Sequence, residues 1–415
     1  MGMTMIEKIL SKHSGQPEVK PGDIVTCKID WAVHLDLMFA VEGLFETPKK
    51  ICNPERQIVI MDHVVPAPTV LDADAGVKAR NFVKKFGIPH FYDVGRHGIG
   101  HQMIAENGYA LPGQILACGD SHTCASGALN CAARGLGPAE MLYVACKGET
   151  WYQVGPTIKY VLYNSLPSLV SGKDVFLYIA GKYGDAANKN VEFGGPGIAN
   201  LSIADRQSIA TMCAEISAEF ATFPYDEKLE EYLKDRAKEP FEPVESDPDA
   251  SYEAVHEIDL SEIVPYVSLP DFVPNNTKPV AELEGLEINQ AYIGSCSNGR
   301  LEDIEVAANI VKGRKIAPNV RLIVTPASQN IYKEAVKAGY VETLIESGAL
   351  VTNSTCGACY GGHMGLIGAG ERCLSSSTRN FKGRMGSPQS EVMLASPATV
   401  AASALTGKIT DPRSI

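Results

Sequence analysis

Histidines accompanied by carboxylates recur along the chain, and such pairs could transfer protons. Asp62 and His63 follow the apolar run 57–61, and His122 stands two residues after Asp120 in GDSHT. A neighbouring carboxylate fixes the tautomer of an imidazole and moves its pKa towards neutrality. Taken singly, each group has a plain structural explanation. Asp120 and Ser121, for example, could simply begin a helix. Their recurrence favours one shared acid–base site, with the candidates Asp62, His63, His101, Asp120, His122 and Glu215.

Three of the 11 cysteines lie in glycine-rich sequence: Cys296 in GSCSNGR, and Cys356 and Cys359 in TCGACYGG. A zinc site needs four ligands, for which His363 is a candidate fourth. A redox dithiol would use only the close pair. An iron–sulfur cluster would use all three thiolates and leave one metal open as a Lewis acid. The spacing alone leaves zinc and a cluster equally open.

A third group, Arg379, Lys382 and Arg384 in SSSTRNFKGRMGSP, is basic. It is either a solvated loop or a clamp for carboxylates, since guanidinium groups bind carboxylates through two parallel hydrogen bonds. In a chain with a formal net charge of −12, a local positive cluster would also attract a small polyacid.

The overall charge and the apolar pattern exclude several classes of partner. With 37 basic and 49 acidic residues in 415, the chain repels polyanions, and we predict no nucleic-acid partner. No apolar run approaches the roughly 20 residues of a membrane span. Glu7 and Lys8 interrupt the region where a secretory signal would need an apolar stretch. We therefore predict a cytoplasmic protein that binds no membrane.

Short apolar runs alternate with helix-like segments along most of the chain. Strands are predicted near 57–61, 114–118, 287–293 and 321–325, and helices over 301–311 and 329–338. This alternation predicts an α/β protein with largely parallel sheets, whose ligands bind beyond the carboxyl ends of the strands. The segment 224–279 is richer in acidic residues and proline, and it predicts a charged helix followed by an extended connection with little structure of its own.

Together, MDHVVPAP, GDSHTCASGAL, GSCSNGRLEDI, CGAC and RNFKGRMGSP resemble, in this order, the aconitase superfamily of hydro-lyases, and most closely its stand-alone large subunits. The likeness covers nearly the whole chain. It implies a three-domain, aconitase-like α/β/α architecture that lacks the swivelling fourth domain. The implied domains are residues 1–157, 158–283 with the acidic connection, and 284–415.

The resemblance also assigns residues. It implies a [4Fe-4S] cluster held by Cys296, Cys356 and Cys359, and so decides between zinc and a cluster where the spacing could not; His363 is then not needed as a ligand. The implied acid–base pairs are Asp62 with His63, His101 with Asp120, and His122 with Glu215. The implied substrate-binding residues are Ser121, Arg379 and Arg384.

The implied activity is the removal and re-addition of water on a small hydroxy di- or tricarboxylic acid. The first expectation for this acid is 3-isopropylmalate, and the alternatives are homocitrate or homoaconitate, 2,3-dimethylmalate, citramalate and maleate. Because the chain stops at Ile415, the swivelling domain and its proton-abstracting serine are expected on a small partner subunit, in a heterodimer or heterotetramer. A regulatory binding protein on the same scaffold is the alternative from another class.

Five positions depart from the family pattern: Leu35, Met38, Thr211, Thr378 and Ala358. Leu35 and Met38 are expected to make the substrate pocket more apolar, which favours a substrate with a hydrophobic substituent. An apolar pocket distinguishes two substrates that differ by one methylene group by only about 1–3 kcal/mol. Thr211 and Thr378 stand where relatives have asparagine, and their loss of amide donors is expected to change the surroundings of a cluster.

Overall fold

The computed structural model describes residues 2–415; Met1, the first residue of the predicted first domain, lies outside the described residues. The strands are β1 Ile24–Lys28, β2 Trp31–Leu35, β3 Gln57–Ile60, β4 His90–Tyr92, β5 Ile115–Cys118, β6 Ala132–Gly135, β7 Glu149–Gln153, β8 Thr157–Tyr163, β9 Asn190–Gly194, β10 Ala221–Thr222, β11 Ala254–Asp259, β12 Tyr266–Ser268, β13 Thr277–Pro279, β14 Gln290–Ile293, β15 Arg321–Val324, β16 Leu350–Val351, β17 Arg372–Ser375 and β18 Glu391–Ala395.

Helices connect most of these strands. They are α1 Met5–Ser14, α2 Val70–Phe86, α3 Gly100–Glu106, α4 Pro138–Lys147, α5 Gly172–Tyr183, α6 Ile203–Met212, α7 Glu227–Leu233, α8 Leu301–Val311, α9 Gln329–Lys337, α10 Tyr340–Ser347 and α11 Pro397–Thr406. The strands and helices predicted near 57–61, 114–118, 287–293, 301–311, 321–325 and 329–338 are confirmed within a few residues of their ends.

The first sheet has the order β4-β3-β2-β5-β6 and is parallel throughout. Its central strand β2 is buried at every residue, because apolar side chains cover the sheet on both faces, as parallel sheets require. At its carboxyl edge, β2 runs directly into Asp36, β3 ends two residues before Asp62, and β5 ends two residues before Asp120. Strands β1 and β7 form a separate antiparallel pair.

The second sheet, β10-β9-β8-β11, corrects one prediction about the segment 224–279. Helix α7 is the charged helix expected there, but the rest is not only a connection. Strand β11 pairs with β8 over six residues in parallel register, and β12 and β13 join the third sheet. The distribution of apolar residues did not predict β11, because an edge strand needs few of them. Val255 is exposed, while Ile258 enters the core.

The third sheet has the order β13-β12-β18-β17-β14-β15-β16. Its strands β14 to β18 are mutually parallel, and β12 and β13 are antiparallel. Three of its carboxyl ends lead to predicted site residues, since Cys296 follows β14, Cys356 follows β16 and Arg379 follows β17. The α/β class with largely parallel sheets is confirmed, and the three-domain division stays a prediction. Within residues 2–415, no helix has both the length and the apolar character needed to cross a membrane.

Candidate active site

The carboxyl edges of the first and third sheets face each other, and their loops are directly hydrogen-bonded. The Cys356 N–H donates to the Asp62 carbonyl over 3.2 Å, and Nη2 of Arg379 donates to Oγ of Ser121 over 2.8 Å. Glu215 lies in a short 3-10 turn after α6, between two strands of the second sheet, and accepts a hydrogen bond from Arg379. The structure therefore brings the predicted acid–base, cysteine and arginine groups to one location.

A continuous chain of hydrogen bonds crosses this location. Nε2 of His101 lies 2.8 Å from Oδ1 of Asp120, and the same oxygen accepts the backbone N–H of His122 over 2.8 Å. Nε2 of His122 lies 2.8 Å from Oε1 of Glu215, to which Nε of Arg379 also donates over 2.8 Å. The two imidazoles are thereby fixed by two carboxylates and one guanidinium.

The charges along this chain stabilise one another. Burial would raise the pKa of Asp120, but hydrogen bonds with His101 and His122 hold it well below its ordinary value. Burial would lower the pKa of His122, yet its bonds with Asp120 and Glu215 raise it overall. The pKa of Glu215 is lowered in turn, against burial, by His122 and Arg379. The carboxylates are therefore anionic at neutral pH, and the arrangement favours a positive charge on His122.

Asp62 and His63 do not form a simple hydrogen-bonded pair. Oδ2 of Asp62 accepts the backbone N–H of Gly100, the first residue of α3, over 2.8 Å. The same oxygen is 3.7 Å from Nδ1 of His63. Position 100 requires glycine, because a Cβ there would lie 2.7 Å from a Leu35 methyl group and 3.1 Å from Oδ2 of Asp62. Asp62 thus positions the start of the helix that carries His101.

His63 is surrounded by three carboxylates. Besides Asp62, Oδ1 of Asp36 lies 3.5 Å from its Nδ1, and Oδ2 of Asp120 lies 3.7 Å from its Nε2. Burial alone would lower the pKa of His63, but the charges of these groups raise it to about 10. Burial raises the pKa of Asp62 to about 6, against the opposing charge of His63. The surrounding carboxylates therefore favour the charged form of His63, which is itself buried.

Asp36 is a site residue that was not predicted, although it stands between two of the departing positions, Leu35 and Met38. Its carboxylate accepts three successive backbone N–H groups, those of Asp62 at 3.0 Å, His63 at 3.1 Å and Val64 at 2.9 Å. Burial would raise the pKa of Asp36, but its interactions with His63 and these N–H donors lower it overall. Its position directly after a buried strand was the one signal in the sequence that could have identified it.

The three predicted cysteines are all buried and lie close enough to influence one another. The hydrogen bond between Cys356 and Cys359 lowers the pKa of the Cys359 thiol well below its ordinary value and raises that of Cys356. Burial and the charge of Cys359 both raise the pKa of Cys296. One ligand atom each from Asp62, His63 and Cys356 lie within 4.8 Å of one another.

This pocket suits a metal cluster. Its soft donors come from two loops, and the turn of Cys356 and Cys359 contains two glycines with φ of 55° and 83°, Gly357 and Gly361, so bare backbone can approach closely. Within residues 2–415, Oδ1 of Asp62, Nδ1 of His63 and Nε of Arg384 are buried without a hydrogen-bond partner. Orphaned polar atoms facing the thiols point to a bound group.

The basic residues separate into three environments. Arg379 lies at the edge of the cleft with its guanidinium already oriented by Glu215 and Ser121. Arg384 is deeper, where burial lowers the pKa of its guanidinium while the charges of Cys359 and Cys356 raise it overall. Lys382 is exposed and 3.8 Å from Asp271. Arg379 and Arg384 therefore approach the site, whereas Lys382 lies on the surface.

The departing residues are buried around the site. Leu35 packs beside Gly100, at the start of the helix that carries His101, and Met38 fills the space beside Gly119, in the loop of Asp120. Thr378 places its Oγ1 3.6 Å from Sγ of Cys359, so it keeps a polar group beside this thiol. The hydroxyl of Thr211 instead donates to the Gln207 carbonyl within α6. His363 is a loop-packing residue, with Nε2 3.0 Å from the His63 carbonyl.

Several known proteins are similar to this chain over most of its length. A family model described as the aconitase family (aconitate hydratase) matches residues 7–281 and 271–407. The 3-isopropylmalate dehydratase large subunit of Mycolicibacterium smegmatis is 56% identical over 415 residues, covering 100% of this chain and 98% of that protein. The same-named protein of Aquifex aeolicus is 44% identical, covering 99% and 97%. The solved holo-form of Thermococcus kodakaraensis aconitase X aligns with 85% of this chain and 84% of its own, at 11% identity and a TM-score of 0.49.

Replacing Asp36 by alanine should destabilise the protein markedly. Three buried N–H groups would lose their acceptor, and His63 would lose one of its neighbouring carboxylates, so we expect a loss of about 3 kcal/mol or more. Urea unfolding followed by circular dichroism measures this loss. The matched control Asp74→Ala alters an exposed aspartate on α2 and should cost no more than about 0.5 kcal/mol. Equal urea midpoints for Asp36→Ala and the wild type would contradict the role of Asp36.

Proposed function

The chain belongs to the aconitase family, and from this premise we propose that it is the cluster-bearing large subunit of a hydro-lyase that acts on 3-isopropylmalate. Its relatives at 56% and 44% identity over nearly the full length are named 3-isopropylmalate dehydratase large subunit. The observation that carries the proposal is the direct contact between the cysteine turn and the acid–base loop, through the Cys356 N–H and the Asp62 carbonyl. Metal and proton chemistry would therefore act on the same substrate.

We propose that Cys296, Cys356 and Cys359 hold a [4Fe-4S] cluster. When bound, such a cluster supplies an open iron, a Lewis acid for the hydroxyl and a carboxylate of the substrate. The chain's own part is to bring three buried thiols to one place, where a bound metal would ionise them.

The proton-transfer roles can be divided by which ring nitrogens are free. Nε2 of His101 is committed to Asp120, and its Nδ1 is buried without a partner among residues 2–415. That nitrogen can deliver a proton to the departing hydroxide. Nδ1 of His122 lies 3.3 Å from Asp120 and Nε2 is bound to Glu215. With both nitrogens engaged, His122 orients water and Arg379 rather than transferring the proton.

Arg379 and Ser121 would bind a carboxylate of the substrate. The guanidinium is held in place from one side by Glu215 and Ser121, so little rotational freedom is lost when an anion arrives. Arg384, beside Cys359, brings a second positive charge to the inner end of the site. Two positively charged groups at different depths suit a dicarboxylate better than a monocarboxylate.

The partner is the second part of the proposal. The relatives are named as large subunits, which implies a small subunit. We propose that this subunit carries the swivelling domain and the serine that abstracts the proton from carbon, and that the two form a heterodimer or heterotetramer. The groups gathered on this chain supply acids, carboxylate binders and thiols for the leaving-group side of the reaction.

Turnover should require the small subunit and should be best with 3-isopropylmalate. The purified chain, reconstituted anaerobically with and without a co-expressed small subunit, is assayed against 3-isopropylmalate, homocitrate, 2,3-dimethylmalate, citramalate and maleate. We expect kcat/KM to be highest for 3-isopropylmalate and turnover by the chain alone to be at background. Appreciable turnover without the partner would refute the division of labour, and a higher kcat/KM for another acid would refute the substrate.

Cys356→Ser should abolish the visible absorbance of the reconstituted chain and lower turnover by about 100-fold or more, since a hard hydroxyl replaces a thiolate ligand. Absorbance and elemental analysis of iron and zinc are measured together. The control Cys146→Ser changes a half-buried cysteine on α4 and should keep both properties. An unchanged absorbance band in Cys356→Ser, or bound zinc without iron in the wild type, would show that the ligand assignment is wrong.

Arg379→Lys should raise KM about 10- to 100-fold with a smaller change in kcat. Lysine keeps the charge but loses the planar fork that binds carboxylate through two hydrogen bonds. Steady-state kinetics of the reconstituted complex measure this effect. Lys382→Ala, whose side chain is 71% exposed, is the control and should leave KM unchanged. If the two variants affect KM equally, Arg379 has no specific role in binding the substrate.

A further inference from the structure

Lys173, the second residue of α5, is fully buried among the loops of the site. Its ammonium donates to the carbonyls of Ser376 at 3.1 Å and Ser377 at 2.6 Å, and to Oγ of Ser297 at 3.3 Å. It also lies 3.2 Å from the sulfur of Met212. Among residues 2–415, no carboxylate oxygen lies within 4.0 Å of the Lys173 ammonium, so it forms no ion pair. A buried lysine is almost always paired, and this one needs an explanation.

The acceptors of Lys173 place it directly behind the cysteines. Ser297 follows Cys296 in the chain. Ser376 and Ser377 precede Thr378, whose hydroxyl lies 3.6 Å from Sγ of Cys359. A single ammonium therefore joins the loop after β14 to the loop after β17, and both loops touch the cysteine site.

The loops that hold Lys173 connect it to two of the thiols, since Ser297 adjoins Cys296 and Thr378 contacts Cys359. Burial lowers the pKa of Lys173 to about 8, while Cys359 and Cys296, in that order, act in the opposite direction. Glu215 and Asp303 contribute less, and each is engaged elsewhere, with His122 and with Asn298. A cation buried without a partner is strongly unfavourable. The proposed cluster, held by Cys296, Cys356 and Cys359 as thiolates, would bring to these loops the negative charge that offsets Lys173.

We infer that Lys173 is the charge-compensating and positioning residue of the cysteine site. Its ammonium offsets the negative charge that three thiolates bring into the core, and it ties the Cys296 loop to the loop that carries Thr378 and Arg379. The inference rests on the proposed cluster. Because net charge and hydrogen bonding around a cluster set its reduction potential, this residue makes the bound group easier to reduce and harder to lose.

Lys173→Gln and Lys173→Met test the inference. Both remove the charge, and glutamine keeps an N–H donor for the serine carbonyls. After anaerobic reconstitution, iron content, the midpoint potential by redox titration, and the rate of absorbance loss in air are measured. We expect a more negative midpoint potential for both variants and a loss of absorbance about 10-fold faster than in the wild type. Lys182→Met, at an exposed position of the same helix, should match the wild type in all three.

A purely structural role would give a different pattern. Thermal unfolding of each variant is compared with and without the reconstituted group. Charge compensation predicts that reconstitution raises Tm less in Lys173→Gln than in the wild type, whereas a structural role lowers Tm equally in both states. If Lys173→Met does not fold, the measurements on Lys173→Gln decide the test. An unchanged midpoint potential and an unchanged Tm increment refute the inference, whereas failure of the wild type to take up iron refutes the proposed function instead.

Discussion

The backbone of residues 62–64 is satisfied from both sides, and the geometry of the site depends on it. Its N–H groups all donate to the single carboxylate of Asp36. Its carbonyls at 62 and 63 accept from the cysteine loop, whose donors are Thr355, Cys356 and His363. Buried backbone groups without partners are costly. Neither the first sheet nor the cysteine loop can shift without leaving such groups behind, so the two are fixed to each other at one short segment.

Around this segment, positively and negatively charged side chains stand next to one another. Asp36, Asp62 and Asp120 surround His63, and Asp120 and Glu215 hold the other two imidazoles. Two cations, Arg384 and Lys173, lie close enough to the thiols to interact with their charges. A chain with a net charge of −12 thereby concentrates positive groups where a small polyacid must bind. The same alternation stabilises the buried carboxylates, each of which would be unfavourable alone.

The sequence predicted the residue types of the site well and their partners less well. GDSHT and CGAC identify groups whose place follows from the carboxyl ends of parallel strands, as with Asp120 after β5. The partner of Asp62 could not be predicted, because the N–H of Gly100 comes from a helix 38 positions away. Asp36 was missed for the same reason, since its three donors lie on a neighbouring strand's loop. Strand β11 was missed because pairing with β8 supplies backbone partners that no local pattern records.

The positions of Leu35 and Met38 change what these departures can do to specificity. Both were expected to make the substrate pocket more apolar, and each is almost fully buried beside the site, at 1% and 3% exposure. Leu35 supports Gly100, and Met38 fills the space beside Gly119. Through these neighbours, both residues support the acid–base groups, His101 on its helix and Asp120 on its loop. A change of volume at either position would displace the acid–base chain as a whole, so it would alter turnover together with the choice among hydroxy acids.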